Sequence, residues 1–526
     1  MLTLPALFVH ALALVTTHPA AGAARAAQRL GAPVATADAA AARSVEPPPP
    51  IAGAPSLEDT AWLAQAASVS PSDAAALAGL RAEAAVALSG CRFPSRKDEA
   101  WRRCDVSSLR ASRIVAPPAA TTEQVGALLE ACADVDGSAG MRLVLVNGVC
   151  SSELSDLSAL PAGVFVGSIL SGGGGGGDPL AREAAERAAL DACGGALPGA
   201  DEDLRTTLGG YAFASLNQAS MRDLVSVHVG AGVHVERPLH LVMLSTGGDG
   251  SDGAAPAAAT LAASHPNLVV TVGEGASLSM LQQYAGEGAY FTNAVTRVRL
   301  QRSASVRHSY VQEQGAGAVH VDSLLVSAAD DASYASSMLQ TGGKIARINL
   351  DVRLEGGGAA SNLRGLTLAT AAQLADVHSR VTHVVADCVS EQEQRNAVAG
   401  KARVVFRGAV VVPTGADNTT ANQLCRTLLL SDSAKVDVAP TLEIDTDDVQ
   451  CTHGATISDL DDEMIFYLQS RGLGRLNAKT LLLEGWARSA LDEVPVEKVK
   501  QRAAAKAATL TPEDERRVRR ESMSSI

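Results

Sequence analysis

Val270-Thr-Val272-Gly273-Glu-Gly-Ala276, Val298-Arg-Leu300-Gln301-Arg-Ser-Ala304 and Val352-Arg-Leu354-Glu355-Gly-Gly-Gly358 are one phrase written three times: a short apolar strand, then a turn of small or polar residues. The phrase returns as Leu324-Leu-Val326 with Ser327-Ala-Ala-Asp330, as Val404-Val-Phe406 with Arg407-Gly408, and as Leu428-Leu-Leu430 with Ser431-Asp-Ser433. Strand ends at 272, 300, 326, 354, 406 and 430 are separated by 28, 26, 28, 52 and 24 residues. The 52 reads as two steps of 26, which predicts one degenerate coil near Arg380 to Val385. A fixed period of this size marks stacked repeats, and two-fold apolar alternation makes them strands rather than helices. Each coil then buries its inward Val and Leu against its neighbours. The prediction is a mainly β chain with a β-solenoid core over residues 206–450, a flattened β-sandwich being the structural alternative.

Composition agrees with such a core. Hydrophobic residues make up 47% of the 526 positions but aromatics only 3%, so Val, Leu, Ile and Ala must fill the interior. The net charge of −13 argues against a nucleic-acid partner, which needs a clustered basic surface. Lys498 to Arg520 is a basic exception, but Glu and Ala interrupt it, as in a solvated helix. The eight cysteines form no Cys-x-x-Cys pair, which excludes zinc-ribbon and ferredoxin ligation and points to a reducing compartment.

Around the core the texture differs. Residues 1–50 read as a targeting leader: 1–37 lack Asp and Glu, Leu2 to Thr16 is apolar, and Pro47 to Pro50 close the segment. The apolar run is too short to span a bilayer, and no membrane association is expected. Residues 51–205 read as a helical and mixed domain, with Leu77, Leu80, Ala84 and Leu88 at helical spacing and strands at Leu143–Val146 and Val164–Val166. Gly172 to Gly177 is a loop, and Gly247 to Ala259 is a polar insertion between coils. Residues 451–526 read as helical. Asp459 to Arg471 puts Leu460, Met464, Phe466, Tyr467 and Leu468 on one broad apolar face, with Gly472 as C-cap, and Asn477 opens a second helix. Such helices cap a solenoid or dock a partner.

One constellation carries chemistry. Cys451 and His453, in Gln450-Cys-Thr-His-Gly454-Ala-Thr456, stand two apart, so extended backbone projects both from one face. A thiolate and an imidazole together suit iron or zinc. Two ligands do not close a four-coordinate site, so the others must come from a partner or from sulfide. Elsewhere, Gly342-Gly-Lys344 lacks the spacing and the Ser/Thr of a P-loop, so no ATP binding is expected of this chain. His228, His234 and His240 read as satisfied or surface histidines, and Cys425 reads as a packed thiol. Cys388 has no neighbouring cation to stabilise a thiolate, and the paired aspartates at 330–331, 447–448 and 461–462 read as turn and helix-start residues.

The Cys451-Thr-His453-Gly454-Ala-Thr456 segment, followed by Phe466-Tyr-Leu-Gln-Ser-Arg471-Gly472, resembles the SufB/SufD family of the SUF iron–sulfur cluster assembly machinery. Ser95-Arg-Lys-Asp98-Glu-Ala-Trp101, Phe213-Ala-Ser-Leu-Asn217 and His265-Pro-Asn267 are similar to that family too, over residues 80–500 in all. His453-Gly454 is similar to the SufD type; SufB-like chains carry His-Glu there.

The resemblance implies a right-handed parallel β-helix flanked by an N-terminal mixed region and C-terminal helices. It also implies a non-catalytic subunit of an ATP-driven complex with one SufB-like subunit and two copies of a SufC-like ATPase. His453, and with it Cys451, would meet a nascent cluster transiently at the SufB interface. Phe466, Tyr467, Arg471, Gly472, Leu482 and Trp486 would mark the SufC docking region. A flavin is linked to the complex without assigned residues, and the leader, bipartite in form, would direct the chain to the chloroplast stroma. The rival readings are a β-helix carbohydrate-active enzyme, which needs a facial carboxylate ladder and aromatic platforms that the repeat lacks, and a purely structural β-solenoid.

Overall fold

The computed structural model describes residues 57–69, 75–132, 139–170, 178–194, 205, 207–248, 260–494 and 496–510. The leader, the Gly172–Gly177 loop, most of the 247–259 insertion and the end of the basic tail lie outside them.

Strands alternate between two sheets, and each pairs in parallel with the strand two places on. Asn267–Val272, Tyr290–Leu300, Val319–Ala328, Ile345–Leu354, Leu374–His383, Arg403–Val412 and Lys435–Ile444 are successive neighbours in the first sheet. Ser277–Glu287, Ser305–Gln312, Ser333–Gln340, Ala360–Ala369, Val389–Val398, Thr419–Leu429 and Val449–Ser458 follow one another in the second. This is a parallel β-solenoid of about seven turns, and the parallel ladders exclude the sandwich. Val270, Val298, Val326, Val352, Val381, Val410 and Leu442 stack in register through all seven coils. Each fully buried valine in that file contributes roughly 1.5–3 kcal/mol of apolar burial.

The turns hold the period. Gly275, Ser303, Asp331, Gly358, Asp387 and Asn418 all adopt a left-handed conformation, φ from 54° to 73°. Glycine, asparagine and aspartate tolerate that region best. The amides of Gly275, Ser303 and Asp331 donate to the carbonyls of Arg302, Asp330 and Gly357 in the following coil, and those of Asp387 and Asn418 to Asp417 and Asp448. The polar turns of the sequence are therefore a ladder of their own.

Two details of the expected repeat need correction. The coil near Arg380 to Val385 is not degenerate, because Leu374–His383 is a full ten-residue strand paired along its whole length with Ile345–Leu354. Its inward positions include Ser379 and His383, which hide it from an apolar count. Leu428 belongs to the second sheet, not the first, so the step of 24 joined two different sheets.

The helical segments cover the outer faces. Trp62, Phe93, Trp101 and Phe213 pack against Phe291, Val319, Val321 and Ile345 of the first sheet. Arg347 fastens this layer: fully buried, it pairs with Asp376 at 2.9 Å, donates to the carbonyls of Ala100 and Leu208, and stacks over Trp101 at 3.8 Å. Burial alone would raise the Asp376 carboxyl, but His378 and Arg347 hold it below its ordinary value. Asn217 donates to the carbonyls of Pro266 and Asn293 and accepts from Asn267, so the 213–217 and 265–267 motifs join helix to solenoid.

The C-terminal helices Arg475–Ser489 and Glu497–Ala508 lie against the second sheet, where Leu483, Ala487, Val499 and Ala503 meet Leu281, Val311, Leu339 and Leu366. They run along the solenoid's flank rather than across its end. The start of the basic tail is thus a packed helix rather than a solvated one. No described helix is long and apolar enough to cross a membrane.

The two ends of the solenoid differ. At the first, Val164–Ser168 pairs antiparallel with Val225–Val229, and the hairpin Arg142–Val146/Val149–Cys150 ends the second sheet. Strands from the expected N-terminal region thus enter both sheets. At the other end, Lys435–Ile444 and Val449–Ser458 are each the outermost strand of their sheet among the described residues.

Candidate functional site on the last coil

Cys451 and His453 lie on Val449–Ser458, a regular strand that runs across the expected boundary at residue 450. It pairs with Thr419–Leu429 in a register that sets Ala421 opposite Cys451, Gln423 opposite His453 and Cys425 opposite Ala455. Ala421, Gln423 and Cys425 are buried and face the lumen. Cys451 packs with Val410, Val412, Ala416 and Ala421, which fixes the inward side of its own strand. By the two-residue alternation His453 takes that side too. Among the described residues no further coil covers it, and His453 is exposed while Cys451 is half-buried.

Burial pushes the Cys451 thiol up, so it is protonated at neutral pH until a metal or a cation draws its proton. Among the described residues no three His, Cys, Asp or Glu side chains converge on one metal position. The donor set at this edge remains two, a soft sulfur and an imidazole, and anything held here takes its other ligands from outside the described chain.

The lumen behind this edge is polar in part, which the aliphatic phrases of the sequence did not disclose. Gln423 donates to Gln392 at 2.8 Å, and Gln392 donates to Ser379 at 2.7 Å. Deeper, Tyr310 donates to Asp322 at 2.8 Å and contacts His320 at 2.9 Å, while His308 bridges Gln282 and Tyr334. Burial pushes the Asp322 carboxyl up to about 6, and drives His308 and His320 down to about 3.

At the same edge, Arg364, Glu393, Asn422, Gln423, Thr452 and His453 are among the residues that line a groove of about 390 Å³. Burial would raise Glu393, but Arg395, Arg364 and Arg426 around it hold it below the usual carboxylate range. Arg395 also donates to the Trp486 carbonyl at 3.2 Å and to Ser489 at 2.6 Å. One ion network therefore joins the groove to the C-terminal helices.

The docking candidates divide. Helix Asp462–Ser470 buries Ile465, and Met464, Phe466 and Tyr467 stand exposed, Phe466 at 72%. The expected broad apolar face is thus turned to solvent, because a single residue anchors this short helix. Asp461 caps it by accepting from the Glu463 and Met464 amides, and Gly472 is left-handed just past its end. Arg471, also exposed, lies over the Tyr467 ring at 5.2 Å. The next helix begins at Arg475 with Gly474 as N-cap, not at Asn477; Gly474 takes the extended backbone that starts the turn. Leu482 is half-buried, and Trp486 is packed beside Arg395 against the solenoid.

Of the other candidates, His228 and His240 hydrogen-bond Thr271 and Gln283, and His234 bonds Ser277 at the surface. Cys388 and Cys425 are fully buried. Lys344 follows the left-handed Gly343 in a turn between coils.

Comparison with known proteins agrees with this architecture. The family model described as "SUF system FeS cluster assembly, SufBD core domain" matches residues 255–486. The chain is similar to the Arabidopsis thaliana "Protein ABCI7, chloroplastic", at 30% identity over 86% of this chain and 88% of that one. It is 29% identical to an iron–sulfur cluster assembly SufBD family protein of Synechocystis, over 82% of this chain and 91% of the relative. It is 27% identical to the iron–sulfur cluster assembly protein SufD of Escherichia coli, over 57% of this chain and 70% of the relative.

Proposed function

The chain belongs to the SufBD family of SUF-system iron–sulfur cluster assembly proteins, and from that premise we propose that it is the non-catalytic, SufD-type scaffold subunit of an assembly complex. Its last coil receives a SufB-like subunit, and His453, with Cys451 behind it, meets a nascent iron–sulfur cluster shared across that junction. The observation that carries this reading is the uncovered coil itself. Among the described residues two parallel edges stand open side by side, and an exposed imidazole lies on the lumen side of one of them. An open edge is a template for another strand, and a two-ligand set is completed by such a partner or by sulfide.

The chemistry on this side is ligation and placement. His453 offers a neutral nitrogen to iron. Cys451 adds a thiolate if iron displaces its proton. The cluster is cargo: it forms from iron and sulfide delivered to the junction and leaves intact for an acceptor. The exposed Met464, Phe466, Tyr467, Arg471 and Gly472, with Leu482 and Trp486 on the adjoining helix, form the docking region for a SufC-like ATPase. The Arg395–Glu393–Arg364 network gives motion of those helices a route to the edge. ATP is bound by that partner, and any flavin belongs to the assembled complex. The likeness to a chloroplastic relative supports a plastid location, reached through the leader at residues 1–50.

The test is anaerobic reconstitution with SufB-like and SufC-like partners, following cluster absorbance. His453→Ala is expected to lower cluster yield at least tenfold with the complex still assembled, and Cys451→Ser to lower it less. Unchanged yield from the His453→Ala complex would sink the proposal.

A further inference from the structure

His308, Ser336, Leu363, Gln392, Gln423 and His453 occupy one register file on the second sheet, each opposite the next. The last three members, Gln392, Gln423 and His453, form a polar run that ends at the open edge. Gln423 is 2% exposed, and its amide nitrogen is committed to Gln392. Gln392 in turn both donates to and accepts from Ser379, across the lumen on the first sheet. The Gln423 Oε1 atom is buried and has no hydrogen-bond partner among the described residues. An orphaned carbonyl of this kind costs about 1–3 kcal/mol, so a donor that reaches it stabilises the fold. The next residue along the file is His453.

A second feature makes room for that amide. Gly408 lies on the first sheet opposite Ser379 in register. A Cβ there would fall 2.3 Å from Gln423 Nε2 and 2.8 Å from the Phe406 ring. The glycine is not required by a left-handed backbone, since Gly408 lies within the strand Arg403–Val412 and outside the positive-φ set. It leaves space in the lumen wall, and Gln423 fills it.

We propose that Gln423 is a positioning residue for His453: its side-chain oxygen accepts the imidazole N–H, fixing the tautomer and the ring orientation so that the other nitrogen faces outward as the ligand. The inference rests on the functional reading of His453 above. A metal-binding imidazole commonly donates its second nitrogen to such an acceptor, which sets which nitrogen is free to ligate. Ser379, Gln392 and Gln423 are then a relay of one hydroxyl and two amide dipoles that braces the acceptor from across the lumen. Gln423 itself touches no cargo.

The experiment is nitrogen-15 NMR of the histidine-labelled full chain, without partners or iron, held at pH 8.5. The His453 signals are identified by their loss in His453→Asn. In the parent chain one tautomer is expected to dominate. Gln423→Leu is expected to reduce that preference roughly fivefold, the effect of one hydrogen bond of ordinary net strength. Gln423→Glu, which keeps an acceptor, is expected to restore it. A denaturation midpoint close to the parent's shows that each variant is folded, and should Gln423→Leu fail to fold, Gln423→Met gives the same comparison. An unchanged tautomer ratio in the folded acceptor-less variant overturns the inference and leaves the scaffold reading untouched. A lost preference together with undiminished cluster yield from His453→Ala overturns the scaffold reading and leaves the positioning role standing.

Discussion

The middle coils and the last coil keep the same strand register, yet they live in different solvents. Ile345–Leu354 has a strand on either side, and nine of its ten residues are buried. Lys435–Ile444 repeats its alternation with one neighbour, and none of its residues is buried. Val352 and Leu442 belong to the same aliphatic file, but Val352 is sealed and Leu442 half-open. Strand register is therefore not what distinguishes the last coil from the middle ones. Coverage is, and the capped end has its antiparallel hairpin where the other end has a strand carrying His453.

Three measurements would break or sharpen that contrast. The largest effect is expected in packing. Leu350→Ala, fully enclosed, should lower stability by about 2–5 kcal/mol, whereas Leu442→Ala should cost less than half of that in the isolated chain. Chemical denaturation of both variants decides it, and equal losses would mean the last coil is as well packed as the middle.

The next effect is expected in pH dependence. Asp322 sits in the lumen among Tyr284, Tyr310 and His320, with a carboxyl raised by burial to about 6. A raised carboxyl contributes stability that is present below the unfolded value near 4 and is lost as pH rises through about 6. A carboxyl moved that far changes stability by at most about 3 kcal/mol. Between pH 4 and 7, Asp322→Asn should therefore gain stability relative to the parent. His308 and His320, depressed to about 3, act in the opposite sense, losing stability as pH falls from about 6.5 toward 3. Asp445→Asn on the exposed final turn is the control, and a parallel pH profile for Asp322→Asn and the parent would remove the lumen's charge from the account.

The smallest effect is expected in thiol access. Iodoacetamide should modify the half-buried Cys451 slowly, because burial raises its thiol pKa, and should leave Cys388 and Cys425 unmodified until the chain unfolds. Addition of a SufB-like partner should slow the Cys451 reaction further. Equal rates at all three thiols would show that the lumen is not closed behind the last coil.

Much of this was legible in the chain itself. Val270, Val298 and Val352 announced the period because inward aliphatics recur once per coil, and Gly, Ser and Asp marked the left-handed turns. What the sequence hid was polar content facing inward. Ser379 and His383 made one coil look broken, and nothing in the local pattern marked Gln392 and Gln423 as enclosed. Burial of such groups depends on partners supplied a coil away, and no local pattern encodes them. The Cys451–His453 pair was visible from its spacing, but its place on an open edge was not, since an edge is defined by the absence of a next strand. For the same reason the apolar face of 462–470 read equally as a cap or a docking surface, and in the structure Ile465 is buried and Leu468 half-buried while Met464, Phe466 and Tyr467 are exposed.

The left-handed turns have one consequence beyond holding the chain together. Repeated from Gly275 to Asn418, they keep the coils in phase, so His453 sits on the same azimuth as His308 five coils earlier. Any strand that extends this ladder inherits that phase. A slip of one residue would put the neighbour opposite Thr452 or Gly454, on the other side of the sheet from the imidazole. The turns thus act as a vernier, transferring an angular setting from the interior of this chain to whatever joins its end.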